Sequence, residues 1–316
     1  MSYIGIDVGG TNLVAGLVEE SGQIRYKASC PVDKSLDGRG LCARLVSLAR
    51  EACDGGGADP ESIQAVGIGL PGLVDNARGV VVRTVNMPFR DTPLRELFHQ
   101  AWEVPVFLGN DANCAAIGEY WAGAARGCDP AVVVTLGTGV GGGMVAGGKV
   151  FTGFANSGME VGHMIIRPGG ALCGCGNRGC WEQYGSATAL IRMTREAMET
   201  NRDSLLWQVC SGDSGKVEGR TPFQAAGQGD ETARRVLEDY LDHLAAGLIG
   251  LSNILFPQVI CLGGGVSGAP EELLLNPLRQ RVHQGCFDKS HLPRIERASL
   301  GNDAGVVGAA MLCQVM

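Results

Sequence analysis

The chain has 316 residues, 45% of them hydrophobic, which is enough for two compact domains that each bury a core. Its formal net charge is −7, and no run of Lys or Arg is suited to following a phosphate backbone, so the composition argues against nucleic acid and for a small-molecule ligand. The twelve cysteines do not make a secreted disulfide framework, which belongs to small domains; nine are scattered singly, and only Cys173, Cys175 and Cys180 cluster.

Residues 1–7 lack a basic leader region and reach a carboxylate before any long apolar stretch. The longest apolar run, 244–256, is too short for a bilayer and is interrupted by Ser252 and Asn253. A cytoplasmic protein with no membrane partner is expected.

Residues 3–7 alternate apolar residues with glycine, residues 8–12 turn the chain, and residues 13–18 resume an apolar strand. The spacing of Leu41, Leu45, Leu48 and Ala52 predicts a helix over 40–53. Strands are predicted over 64–70 and 104–108, the second leading into a helix over 112–121. Residues 131–136 read as a strand, 137–143 as a glycine-rich turn, and 144–146 as a strand that turns at Gly147 and Gly148 into 149–151. The same order of strand, glycine turn and strand thus occurs twice, and this weak repeat predicts two halves of similar fold, each presenting backbone N–H groups to one ligand.

Further on, helices are predicted over 187–199 and 230–256, and a strand over 258–262 runs into Gly263, Gly264 and Gly265. Residues 201–229 are polar and glycine-rich and read as loop without chemistry. An apolar helix over 306–313 closes the chain. Alternation of strands and helices makes the fold class α/β. The expected division is a small lobe over 1–121, with 303–316 packing back on it, and a large lobe over 122–302.

Three clusters carry chemistry. In the first, Gly9 and Gly10 let a phosphate approach the backbone, Thr11 and Asn12 add polar groups, and Asp7 is placed to hold a magnesium-bound water. An ordinary tight hairpin is the competing explanation for this cluster alone. Two more strand-to-glycine turns, with Gly137, Thr138 and Gly139 and with Gly264 and Gly265, favour phosphate binding. In the second cluster an apolar strand empties into Asn110 and Asp111 just before a helix, at a strand's carboxyl end where open α/β sheets bind ligands. Locally, a helix cap is the more common role for such an Asp.

The third cluster joins His163 to Cys173, Cys175 and Cys180, a donor set for a closed, structural tetrahedral zinc site. A redox pair with a spare thiol is the alternative. Glu160 and Glu182 flank it, able to accept hydrogen bonds from sugar hydroxyls if the loop holds them, or else simply solvated.

Residues 7–12, 136–143, 160–163 with 173–182, and 260–266 together closely resemble the ROK family of sugar kinases and related repressors, over nearly the whole chain. The most specific part is Cys-Gly-Cys-Gly-Asn-Arg-Gly-Cys-Trp-Glu after Glu-Val-Gly-His; Trp181 departs from the smaller aliphatic residue usual there. The resemblance implies a two-lobed actin-like (ribonuclease-H-like) ATPase fold with a ligand cleft between lobes, ATP and Mg2+ at the glycine hairpins, and Asp111 as general base. It implies sugar contacts from Gly72, Asn86, Asn110, Asp111, Glu160, His163 and Glu182, and a homodimer.

Asp7 lies six residues after the initiator, leaving no room before it for a helix-turn-helix, so a kinase is expected rather than a repressor. Residues 263–267 and 300–310 look more like the family's bacterial glucokinases than its acetyl-sugar enzymes, making glucose the first expectation. N-acetylmannosamine, N-acetylglucosamine, fructose and allose are the alternatives, because one or two pocket contacts decide between sugars.

Overall fold

A computed structural model describes residues 1–84 and 87–316, so the expectation for Asn86 lies outside the described residues. The opening hairpin forms as expected: β1 (Ser2–Val8) pairs antiparallel with β2 (Asn12–Glu19), which pairs with β3 (Ile24–Pro31). Helix α1 (Gly38–Gly55) starts where the Asp37 carboxylate accepts from the Gly40 N–H, and it buries Leu41, Leu45, Leu48 and Ala52, the stripe read from their spacing. Next come β4 (Ile63–Leu70), β5 (Leu73–Asp75), β6 (Val80–Arg83), β7 (Arg90–Thr92), α2 (Leu94–Ala101), β8 (Val106–Asn110) and α3 (Asp111–Ala122). β4 is buried almost continuously, as a parallel strand covered on both faces should be.

The chain continues through β9 (Ala131–Leu136), β10 (Val140–Ala146), β11 (Lys149–Val150), α4 (Glu182–Gly185), α5 (Ala187–Thr200), α6 (Leu206–Val209), α7 (Thr221–Gly227) and α8 (Glu231–Leu255). It ends with β12 (Val259–Gly263), α9 (Leu275–Gly285), β13 (Arg294–Arg297), α10 (Ala304–Ala310) and α11 (Leu312–Val315). One sheet has the order β3-β2-β1-β4-β8 and another β11-β10-β9-β12-β13. These are one pattern: a glycine-turn hairpin on one side of the first strand, and later strands on the other side. β1 with β4, β4 with β8 and β12 with β13 all pair parallel. The repeat read from the glycine turns is therefore a repeat of topology.

By compactness, one unit comprises Met1–Val133, Gly143–Met159 and Ala298–Met316, and the other Val134–Gly142 and Glu160–Arg297. The first division falls after Val133 rather than after residue 121. Residues beyond α3 stay with it because the buried Glu119 carboxylate accepts from the Ala124 N–H at 2.8 Å and from the Ser299 and Leu300 N–H groups at 3.0 and 2.8 Å. Two further differences concern elements. The 201–229 stretch holds α6 and α7, the latter started by Pro222 in its first turn and burying Phe223, Ala225 and Ala226. The C-terminal helix breaks at Met311 into α10 and α11.

In the first unit, α10 packs on β1, β4 and α3 by direct backbone approach. A methyl group on Gly5 would overlap the Val306 carbonyl, one on Gly67 that of Ala309, one on Gly118 that of Ala304, and one on Gly308 that of Cys114. Glycine is required there by proximity rather than by turn geometry. Helix propensity alone favours Ala over Gly by about 1 kcal/mol, whereas the packing predicts that Gly308→Ala destabilises the fold by roughly 1–3 kcal/mol. Urea melts that show a gain in stability would overturn this packing.

Candidate active site

Asp7 ends the paired part of β1 beside Val8, and the turn after it is closed by Gly9 N–H donating to the Asn12 carbonyl at 3.0 Å. Gly10, Thr11 and Asn12 are exposed at its tip. Asp7 is half-buried and its carboxyl is pushed up to about 6, mainly by burial and secondarily by the charge of Asp111. The parallel strands β1, β4 and β8 bring the two acids to the same end of the sheet.

At Asp111 the structure corrects the local expectation of a capping role. Asn110 is the cap: its Oδ1 accepts from the Ala112 and Asn113 N–H groups at 2.9 and 3.2 Å, and its Nδ2 donates to the Gly72 carbonyl at 3.2 Å. Asp111 is the first residue of α3, exposed, with Oδ1 accepting from its neighbour Ala112 N–H at 2.8 Å. The N-terminal end of a helix stabilises the ionised carboxylate that a general base needs.

In the second unit, His163, Cys173, Cys175 and Cys180 place their ligand atoms within 4.8 Å of one another. Cys175 Sγ lies 3.5 Å from Cys180 Sγ, and Cys173 Sγ lies 3.7 Å from His163 Nδ1. A disulfide needs about 2.05 Å. A tetrahedron with Zn–S near 2.3 Å has edges of about 3.8 Å, so both the donor set and the spacing fit zinc. The loop is folded by Cys173 N–H donating to Asn177 O at 2.8 Å and Gly176 N–H to Cys173 O at 2.9 Å. Gly176 and Gly179 take φ of 93° and 87°, which glycine tolerates best. Burial pushes the Cys173 thiol up to about 12, so a divalent cation is the group that would hold it as thiolate.

Glu182 touches this cluster: its Oε1 accepts from Cys173 Sγ at 2.9 Å and lies 3.9 Å from His163 Nδ1. It also lies over the β9–β10 turn, where a methyl on Gly139 would meet Glu182 Oε2 at 2.7 Å. Glu160 is exposed, and its carbonyl accepts from the His163 N–H at 3.0 Å. Trp181 is fully buried and donates to the His243 carbonyl at 3.0 Å; a methyl on Gly247 of α8 would overlap its indole, so glycine makes room for the larger ring.

The turn that holds Gly137, Thr138 and Gly139 is anchored by Ala187 N–H donating to Gly137 O at 2.9 Å. Gly264, at φ 82°, abuts the Leu136 backbone closely enough that a side chain there would strike it, so this turn and the Gly264–Gly265 loop adjoin. Beside Gly265 opens a cavity of 370 Å3 lined by Gly219, Arg220, Phe223, Gln224 and Val266, among others. Sequence reasoning missed these α7 residues; the available signal was Pro222, which marks a helix start inside a stretch read as loop.

The repeated sheet topology and the glycine turns at both hairpins define a two-lobed actin-like, ribonuclease-H-like ATPase class. The ROK family model matches residues 3–315. A glucokinase of Thermotoga maritima is 36% identical over 99% of this chain and 97% of its own length, and one of Halalkalibacterium halodurans is 34% identical over 98% and 94%. A crystal structure of a ROK family glucokinase from Streptomyces griseus in complex with glucose and AMPPNP matches with TM-score 0.82 and 36% identity over 99% of both chains. The chain belongs to the ROK family. Among the described residues, no helix is long and apolar enough to cross a membrane.

The raised pKa of Asp7 has a measurable cost. Its neutral form is favoured in the fold, so its contribution to stability is fully present below pH 3.8 and is lost as pH rises through about 6. Asp7→Asn mimics the neutral form at every pH. Without divalent cation it should stabilise the fold by up to about 3 kcal/mol at pH 8 and by about half that at pH 5. Equal gains in denaturant melts at the two pH values would contradict the burial of this carboxylate.

Proposed function

We propose that the chain is an ATP-dependent hexokinase-type kinase that phosphorylates a hexose, glucose first, at its primary hydroxyl. The observation that carries this reading is the Asp7 and Asp111 pair: two carboxylates at the same end of one sheet, one half-buried and one exposed at a helix N-terminus. Asp111 accepts the proton of the sugar hydroxyl while that oxygen bonds to the γ-phosphorus and the bond to ADP breaks. The transition state is loose, so alignment and charge stabilisation do most of the work.

Backbone N–H groups around Gly9, Gly10, Thr11 and Asn12, and around Gly137, Thr138 and Gly139, are assigned to the phosphates. Asp7 would hold Mg2+ through a bound water, and that ion supplies neutralisation of phosphate charge. Gly264, Gly265 and the cavity lined by Arg220, Phe223 and Gln224 are assigned to the nucleoside. Gly72, Asn110, Asp111, Glu160, His163 and Glu182 are assigned to the sugar, with Asn86 from the family resemblance alone.

His163, Cys173, Cys175 and Cys180 would hold a structural Zn2+, which stiffens the loop that carries Glu182. With Nδ1 turned to the cluster, the His163 ring keeps Nε2–H as a donor to a sugar oxygen. Cytoplasmic residence belongs to the same proposal, as does a homodimer, which rests on the family resemblance.

A hexose panel assayed for ADP release with ATP and Mg2+ tests the substrate: glucose should give the highest kcat/KM, and a flat zero across the panel would end the kinase reading. Asp111→Asn should lower kcat at least ~100-fold, the ordinary loss for a general base, with sugar affinity by calorimetry nearly unchanged. Near-normal turnover would remove Asp111 from that role. Cys175→Ser should abolish bound zinc by metal analysis and weaken sugar binding; a wild-type protein purified without zinc would refute the metal assignment.

A further inference from the structure

β8 is the outermost strand of its sheet, so among the described residues one side of its backbone has no strand partner. Pro105 O accepts from Val66 N–H in the neighbouring strand, which places residues 105, 107 and 109 inward and 106, 108 and 110 outward. An open edge usually leaves these outward groups to water or to a wandering partner. Here each outward residue is tied down. Arg95 Nε donates to Val106 O at 2.8 Å. Leu108 N–H donates to Asn76 Oδ1 at 2.8 Å, and Asn110 Nδ2 to Gly72 O.

The first two ties are one device. The same Arg95 guanidinium donates through Nη2 to Asn76 O at 2.6 Å and to Asn76 Oδ1 at 2.8 Å. Among the described residues it has no carboxylate within ion-pair distance, and all three of its acceptors are neutral oxygens. Its rigid fork therefore orients, because the separation of Nε and Nη2 fixes where Val106 O and Asn76 must sit relative to each other. The segment 72–76 is thereby laid along β8 without strand pairing, and it is locked at both ends. Close packing reinforces the lock, since a methyl on Gly79 would come within 2.7 Å of Arg95 Cβ. Leu108 lies three residues before Asp111, roughly 10 Å along an extended strand.

We propose that Arg95, acting through Asn76, is a positioning residue that sets the end of β8 and with it Asn110 and the Asp111 carboxylate. This rests on the reading of Asp111 as the base. Neither Arg95 nor Asn76 touches the reacting atoms; their role is to hold the carboxylate where the attacking hydroxyl arrives.

The experiment compares steady-state kinetics of the full chain, using the best hexose of the panel, for Arg95→Ala, Asn76→Asp, Asn76→Leu, Asp111→Asn and the double variant Arg95→Ala/Asp111→Asn, with urea melts on each. Misplacement by about 1 Å can cost 10²-fold, so Arg95→Ala should lower kcat roughly 10–100-fold with the ATP KM little changed. Asn76→Asp keeps both acceptor contacts and should stay near wild type, whereas Asn76→Leu keeps the shape, loses the acceptor and should reproduce Arg95→Ala.

The double variant should be no slower than Asp111→Asn alone, since one acts through the other. Multiplying losses, a wild-type kcat in Arg95→Ala, or an Asn76→Asp variant as impaired as Asn76→Leu would each overturn the proposal. If Arg95→Ala melts below the assay temperature, the Asn76 pair carries the same comparison, and Asp111→Asn/Asn76→Leu replaces the double variant. Failure of the base reading shows separately, as an Asp111→Asn single variant with near-normal turnover.

Discussion

Backbone contact between α10 and the elements beneath it is the constraint on which the first unit depends. Ordinary helix packing keeps axes 8–10 Å apart through interleaved side chains. α10 approaches more closely, over Gly5 of β1, Gly67 of β4 and Gly118 of α3, and contributes Gly308 to the same contact. β1 leads to Asp7 and α3 begins at Asp111, so one short helix from the chain's end packs on the elements that carry both carboxylates. Gly305, just inside α10, comes so near that a methyl there would lie 2.9 Å from the Asp7 carboxyl carbon. The raised pKa of Asp7 follows first from its burial under this cover and second from the charge of Asp111.

Much of this was legible because glycine reports close approach and turns as well as flexibility. The pairs Gly9-Gly10 and Gly147-Gly148 marked hairpins whose strands then had to pair antiparallel, as they do, and the run around Gly137–Gly139 marked the turn between the neighbouring strands β9 and β10. The cysteine spacing marked the metal-type cluster, since three thiols within eight residues can meet only if the loop curls back on itself, as Gly176 and Gly179 allow. What was not legible depends on partners far apart in sequence. Nothing local distinguishes Asn110 from Asp111 as the cap; the choice follows from Gly72, whose carbonyl takes the Asn110 amide. Arg95 and Asn76 carried no motif, because their function as a pair exists only once β8 is an edge.

The second unit shows how a small residue on one helix makes room for a large ring. The Trp181 indole is wholly enclosed. Gly247 vacates the volume on α8, and His243 O satisfies the indole N–H, which would otherwise be an unpaired buried donor. Tyr184 stacks on His243 with centroids 4.8 Å apart and accepts from the Ala171 N–H at 2.7 Å. The short helix bearing Glu182 is thus tied to α8 on one side and to the cysteine loop on the other.

The contact between Gly139 and Glu182 Oε2 carries a consequence for anyone redesigning this chain. The turn assigned to phosphate and the acid assigned to sugar share a boundary one side chain thick. Moving Glu182 to admit a bulkier hexose displaces the loop intended for the nucleotide, and any residue other than glycine at position 139 shoves the acid away from its station. Under the proposed assignments, selectivity for acceptor and handling of donor are mechanically geared together, and laboratory evolution toward a new sugar should accumulate compensating changes around residues 137–140.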